Sequence, residues 1–157
     1  MAITRGKQFE SKVKEDLLKL PNAVVERLPD QMTGYKGTSS NVADFIFFNW
    51  GKLHYIECKT TQENTFPLTN LTQYPELLKR ACKKNVRSGV ILWFIKWDKI
   101  VYIPIKTIEQ LKFENAKSVN IKMVGNNDYR IIDIPSTKKR VFFDSDYTIL
   151  EYLQEGD

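Results

Sequence analysis

Apolar residues recur at Phe9, Val13, Leu17 and Leu20, a spacing that lays one stripe along a helix over residues 4–20. Pro21-Asn22 stops it. The period then shortens. Val24, Val25 and Leu28 mark a strand over residues 23–28, and residues 45–48 form an unbroken apolar run. After Asn49-Trp50-Gly51-Lys52 turns the chain, residues 53–59 read as a second strand ending in Glu57-Cys58-Lys59. Farther on, Pro75 suits the first turn of a helix that starts within residues 72–75 and continues to about Lys84, with Leu77, Leu78 and Ala81 inward. Residues 89–96 and 99–104 predict a hairpin turning near Trp97-Asp98, and residues 106–113 a short helix. Residues 119–124 and 129–134 read as short strands around Gly125-Asn126-Asn127-Asp128, and residues 147–154 as a closing helix.

Composition narrows the class. A chain of 157 residues, 42% of them hydrophobic, suits a single domain over residues 1–157 with a real core. The net charge of +5 favours a polyanionic partner. Cys58 and Cys82 are the only cysteines and form no C-x-x-C pair, so they read as buried or neutral thiols in a reducing cytosol rather than a disulfide. The N-terminal stretch is polar and charged from Arg5 onward, without a signal peptide, and no apolar run approaches a membrane span. The expectation is a cytoplasmic protein without a membrane partner.

The candidate chemistry lies around the first hairpin. Strand side chains alternate faces, so Glu57 and Lys59 point one way while Ile56 and Cys58 point into an apolar interior. Asp44, at the head of the preceding apolar run, has only to sit beside them. Two carboxylates supply hard oxygen ligands for Mg²⁺, and a lysine two positions on can orient water or meet charge on a phosphate. That is a nuclease pattern. The same residues also fit an ordinary solvated pair on an exposed strand face. Glu10, beside Phe9, is either a surface residue or a further carboxylate over the site. His54, the one histidine, reads as a packed core residue rather than a catalytic base.

Basic residues gather in several places. Arg5, Lys7, Lys12 and Lys14 give the first helix a basic side, and Lys79, Arg80, Lys83 and Lys84 with nearby Arg87 make the densest positive group. Each is either a solvated face or a phosphate-contacting one. Residues 29–41, with Lys36, Ser39 and Ser40 among glycines, form either a long connection or a contact to a nucleic-acid backbone. Trp93 and Trp97 read as packing residues, and Lys138-Lys139-Arg140 as a basic turn.

A helix with Glu10, a strand with Asp44, a strand with Glu57-Cys58-Lys59 and then a basic helix resembles the PD-(D/E)xK nuclease superfamily, with Ala43 in the place of its proline. More closely, Arg5-Gly6-Lys7-Gln8-Phe9-Glu10, Asp44, Glu57-Cys58-Lys59-Thr60-Thr61 and Phe66-Pro67-Leu68 are similar to RecU-type Holliday-junction resolvases, in a compact bacteriophage form. The resemblance implies a mixed α/β (α+β) fold with a restriction-endonuclease-like core, its central mixed sheet flanked by helices. It implies a homodimer that resolves four-way DNA junctions by paired nicking, dependent on Mg²⁺ with Mn²⁺ as a substitute. Asp44, Glu57 and Lys59 take the catalytic positions, Glu10 matches an N-terminal helix glutamate, and Asp44, Glu57, Cys58 and Glu10 form the metal site. Gln73 is the nearest match to a functional glutamine on the following helix, although its offset from Phe66-Pro67-Leu68 is about two residues short. Arg5, Lys7, Lys36, Ser39, Ser40, Lys79, Arg80, Lys83 and Lys84 would meet DNA. The rival readings are a superfamily nuclease that cuts flaps, ends or duplex, and a scaffold that binds nucleic acid without catalysis.

Overall fold

The computed structural model describes residues 4–29 and 41–157. Helix α1 spans Arg5–Leu18, and the Thr4 hydroxyl caps it by accepting the Lys7 N–H at 3.3 Å. Its inward stripe is Phe9, Val13 and Leu17, with Asp16 buried beside them. Strands β1 (Val24–Arg27), β2 (Phe45–Asn49) and β3 (Lys52–Thr61) follow. Trp50 and Gly51 both adopt positive φ, 53° and 70°, giving the two-residue turn whose twist matches a hairpin. The chain continues through β4 (Thr65–Pro67), α2 (Tyr74–Ala81), β5 (Val86–Phe94), β6 (Lys99–Pro104) and α3 (Ile105–Phe113). It ends with β7 (Ser118–Asn120), β8 (Ile132–Asp133), β9 (Ser136–Lys138), β10 (Phe143–Ser145) and a 3₁₀ segment, Tyr147–Tyr152.

Among the described residues six strands make the central sheet, in the order β1-β2-β3-β5-β6-β8. Its neighbours are antiparallel except β3 and β5, which run parallel from Leu53↔Val86 to Thr61↔Phe94 because α2 carries the chain back between them. Alternation along β3 sends Ile56 and Cys58 into the core under α1, with Phe9, Val13, Leu17, Phe45, Phe47 and Trp93. The other face of the sheet packs Val90, Leu92, Val101 and Ile103 against Leu77 of α2 and Ile108 and Leu111 of α3. With helices on both faces, β5 is buried from Arg87 onward.

Several sequence expectations change. Residues 119–124 and 129–134 do not pair with each other. Strand β7 pairs with β4, where Phe66 faces Val119 across an apolar contact, and β8 pairs with β6. Helix α2 stops at Ala81, so Lys83 and Lys84 lie in the turn beyond it, which closes with Asn85 at φ 59°. The closing helix is a 3₁₀ segment capped by the Asp146 carboxylate, which accepts the Thr148 N–H. Lys12 is turned inward. It pairs with Asp16 at 2.5 Å and Asp144 at 2.8 Å, while Asp16 also accepts from Lys19 and from the Ser145 N–H. Trp97, expected in the core, stands 49% exposed, whereas Trp93 is buried. Lys138-Lys139-Arg140 does form a turn, the one joining β9 to β10. Cys58 is buried and Cys82 exposed, both free. No helix among the described residues is long and apolar enough to cross a membrane.

His54 lies fully buried against Phe47, with ring centroids 5.1 Å apart. Burial, then the Arg87 and Lys52 charges, push its pKa down to about 3, so it is a neutral core residue. Nearby, Gly89 makes room for Tyr102: a Cβ on Gly89 would lie 2.2 Å from the Tyr102 ring. The Tyr102 hydroxyl is buried without a hydrogen-bond partner. Two variants test this packing by thermal melting. Gly89→Ala should destabilise the fold by about 3 kcal/mol, the upper range for overpacking, because the added methyl meets a fully buried ring. Tyr102→Phe should be neutral or stabilising by about 1 kcal/mol, since it removes a buried polar atom that nothing satisfies. A Gly89→Ala melt equal to the parent's would show that the ring moves freely.

Candidate active site

The site is built from strand register. Strand β2 pairs with β3 as far as Phe45↔Ile56, and Asp44 is the residue just before it, close enough for its charge to act on Glu57. The Asp44 N–H donates to the Ile56 carbonyl at 3.0 Å, one residue short of the partner a regular ladder would give it. Its side chain then replaces the missing next rung. Oδ2 accepts the Cys58 N–H at 2.7 Å, fixing the carboxylate at the strand end. Lys59, two residues beyond Glu57 and so on the same face, places Nζ 3.1 Å from Glu57 Oε1. From α1, Glu10 reaches in with Oε2 held by Lys7 Nζ and Arg27 Nη2, each at 3.4 Å.

The charges interact strongly. The Glu57 carboxyl is pushed up to about 7, by burial first and then by the Asp44 charge, with Lys59 pulling against both. Glu10 is also raised, by burial first and then by Asp44, with Lys7 and Arg27 opposing. The Cys58 thiol is held well above its usual range by burial in the α1 core first, and then by the Asp44, Glu57 and Glu10 charges. What Cys58 brings to the site is therefore its main chain.

A divalent cation fits this donor set on charge grounds. Among the described residues no three His, Cys, Asp or Glu side chains converge tightly enough to hold a metal by themselves. What the fold offers is a pair of neighbouring carboxylates, Asp44 and Glu57, whose mutual repulsion adds to burial in raising the Glu57 pKa. A hard cation that keeps several waters requires few protein oxygens, and its charge between the two would relieve that repulsion. Glu10 stands at electrostatic range of both.

The structure thus brings together Asp44, Glu57, Lys59 and Glu10. It does not join Gln73 to them: Gln73 is the residue before α2, and its Oε1 accepts from the Thr72 hydroxyl at 3.3 Å. Arg5 is exposed in the first turn of α1 and Lys7 is engaged with Glu10. Lys79, Lys83 and Lys84 are exposed, but Arg80 is tied to Glu76 at 2.6 Å and lies over the Tyr55 ring. Lys36, Ser39 and Ser40 lie outside the described residues. Sequence reasoning missed Arg27. The available signal was its two-residue offset from buried Val25, which sends both side chains to the face on which α1 lies.

The fold is mixed α+β, a restriction-endonuclease-like core with a central mixed sheet flanked by helices. It is similar to that of Hjc from Archaeoglobus fulgidus, a Holliday junction resolvase from an archaeal hyperthermophile, with a TM-score of 0.53 and 18% identity over 74% of this chain and 89% of that one. No family model matches the chain, and no curated protein matches it in sequence.

Glu57 gives a stability test that needs no substrate. Its folded pKa lies above the unfolded value of 4.5, so the folded state holds the proton more tightly between pH 4.5 and about 7. Stability associated with Glu57 is therefore greatest below pH 4.5 and falls as pH rises through 7. At pH 8 the cost is about 3 kcal/mol. Glu57→Gln should raise the melting temperature at pH 8 and leave it nearly unchanged at pH 4. Ca²⁺ should raise the parent's melting temperature at pH 8, and do so less in the variant. Equal melting of parent and variant at pH 8 would place Glu57 in an unstrained setting.

Proposed function

We propose that the chain is a Mg²⁺-dependent DNA endonuclease that resolves four-way junctions by paired nicking, of the PD-(D/E)xK kind and of RecU type. The observation that carries this reading is the Asp44 carboxylate fixed on the Cys58 N–H at 2.7 Å, within electrostatic range of Glu57, with the Lys59 ammonium 3.1 Å from Glu57. The similarity in fold to an archaeal junction resolvase supports the choice of substrate.

In this reading Asp44, Glu57 and the main chain of Cys58 would hold Mg²⁺, with Glu10 beside them. The cation supplies an acidified water and neutralises charge on the phosphate. The residues themselves divide the remaining work. The Cys58 N–H fixes the Asp44 carboxylate, so no side-chain search precedes the reaction. Lys59 places a positive charge where the phosphodiester oxygens gain negative charge. Lys7 and Arg27 hold Glu10 and carry positive charge to the same sheet edge. The water oxygen bonds to phosphorus and one bridging P–O bond breaks, leaving a nick. A four-way junction is two-fold symmetric and requires two such cuts, so the active species is a homodimer with two equivalent sites.

The test is single-turnover cleavage of junction, flap, duplex and single-stranded DNA of matched sequence. Mg²⁺ or Mn²⁺ should support paired nicking of the junction, while Ca²⁺ supports binding without turnover. Asp44→Asn and Glu57→Gln should remove cutting with folding intact by circular dichroism. Lys59→Ala should bind junction normally and cut roughly 100-fold more slowly or worse. Light scattering should give about twice the 18.4 kDa chain mass. Cleavage in excess chelator, or parental cutting by Lys59→Ala, would overturn the assignment. Faster cutting of flaps or duplex than of junctions would move the substrate to those DNAs.

A further inference from the structure

We infer that the tip of the β5–β6 hairpin and the turn between β9 and β10 form a second DNA contact, in which Trp97 stacks on a base whose face is exposed at the branch point. This rests on the nuclease reading and adds the surface that would distinguish a branched substrate from a continuous duplex.

Strand register supplies the location. Strands β3 and β5 are parallel, with Lys59 beside Leu92 and Thr61 beside Phe94, so the β5–β6 tip leaves the same edge of the sheet that carries Glu57 and Lys59. At roughly 3.3 Å per residue, Thr61 lies roughly 7 Å beyond Lys59. Thr61 opens the turn into β4: its hydroxyl donates to the Thr65 carbonyl and accepts the Glu63 N–H. Asn64 in that turn accepts the Trp97 indole N–H at 3.0 Å. Trp97 is thereby fixed at its polar end, next to the catalytic strand, while half of its surface faces solvent. An exposed indole serves nothing in the apolar cores, but it offers a flat face to a nucleobase.

The surroundings have the charge that such a partner requires. Lys96 precedes Trp97 and is exposed. Asp98 pairs with Lys138 at 2.7 Å, which ties the tip to the β9–β10 hairpin. Trp93, beside Thr60, packs on Phe9 of α1 and on Phe142 and Phe143, so the turn carrying Lys139 and Arg140 lies on the α1 side of the sheet. Lys139 N–H closes that turn on the Phe142 carbonyl at 2.8 Å. Lys96 and Arg140 have no ion-pair partner among the described residues. Two rigid tips thus present an aromatic face and uncompensated cations at one edge, the combination that binds single-stranded nucleic acid through stacking and phosphate contacts.

The experiment compares the parent with Trp97→Ala, Trp97→Phe and the double variant Lys96→Ala, Arg140→Ala. Binding to a four-way junction and to a fully paired duplex is measured in Ca²⁺ across a salt titration, with thermal melts as a check on folding. Trp97→Ala should lose about tenfold in junction affinity with little change for duplex, and Trp97→Phe should keep most of it, because a phenyl ring still stacks. The double variant should weaken binding to both DNAs and lower the salt slope by about two. 2-Aminopurine at the branch point should be quenched by the parent and by Trp97→Phe, but not by Trp97→Ala. Parental junction affinity in Trp97→Ala, or equal losses for duplex and junction, would overturn the stacking contact while leaving the nuclease reading intact. A parent that binds no DNA would overturn both.

Discussion

The site depends on one main-chain requirement. Cys58 sits in a strand with β5 on one side and β2 on the other, and the β2 ladder ends at Phe45, before it reaches the Cys58 N–H. A buried N–H left alone costs about 1–3 kcal/mol. Asp44 meets the need with its side chain, and the same bond that completes the sheet fixes a carboxylate beside the Glu57–Lys59 pair. Two carboxylates are thus brought near one another by backbone hydrogen bonding. Burial, and then the Asp44 charge, leave a Glu57 carboxyl that is easily protonated near neutrality.

Alternation along β3 lets one strand serve two purposes. Its inward set, His54, Ile56 and Cys58, belongs to the core under α1, and the other set, Glu57 and Lys59, carries the candidate chemistry. A residue slip in register would exchange the two sets, so the apolar contacts of Ile56 and Cys58 specify where the charged pair stands. The parallel partner β5 reinforces this, since its buried length leaves β3 little freedom to slide.

The strongest parts of this arrangement were legible in the chain. The Trp50-Gly51 turn, the amphipathic spacing of α1 and the Glu57-Cys58-Lys59 alternation each follow from local rules, and the structure keeps all three. What sequence could not give was pairing at a distance. Strands β4 and β7 have three residues each, too few to display a period, and they exist because Phe66 and Val119 bury each other. The end of α2 was misplaced because Lys83 and Lys84 suit a helix, and only the left-handed conformation of Asn85 reveals the turn. Lys12 was read as exposed although Asp16, four residues on, is its partner on the same helix face. Trp97 was read as core because aromatic residues usually are; its exposure follows from its place at a hairpin tip.

The Asp16 cluster bears on when the candidate site is complete. Asp16 on the site helix accepts the Ser145 backbone N–H, a contact between residues 129 positions apart, and Lys12 pairs with Asp144 beside it. Closing so long a loop is slow, and the contact returns its energy only after the loop has closed. During synthesis from the N-terminus, α1 emerges well before the β10 strand that locks it. A partly made chain can pair β2 with β3 and display both strand carboxylates while the helix bearing Glu10 still lacks its final anchor. Assembly of the Glu10, Asp44, Glu57 and Lys59 constellation is therefore completed only once the β9–β10 hairpin has docked on α1.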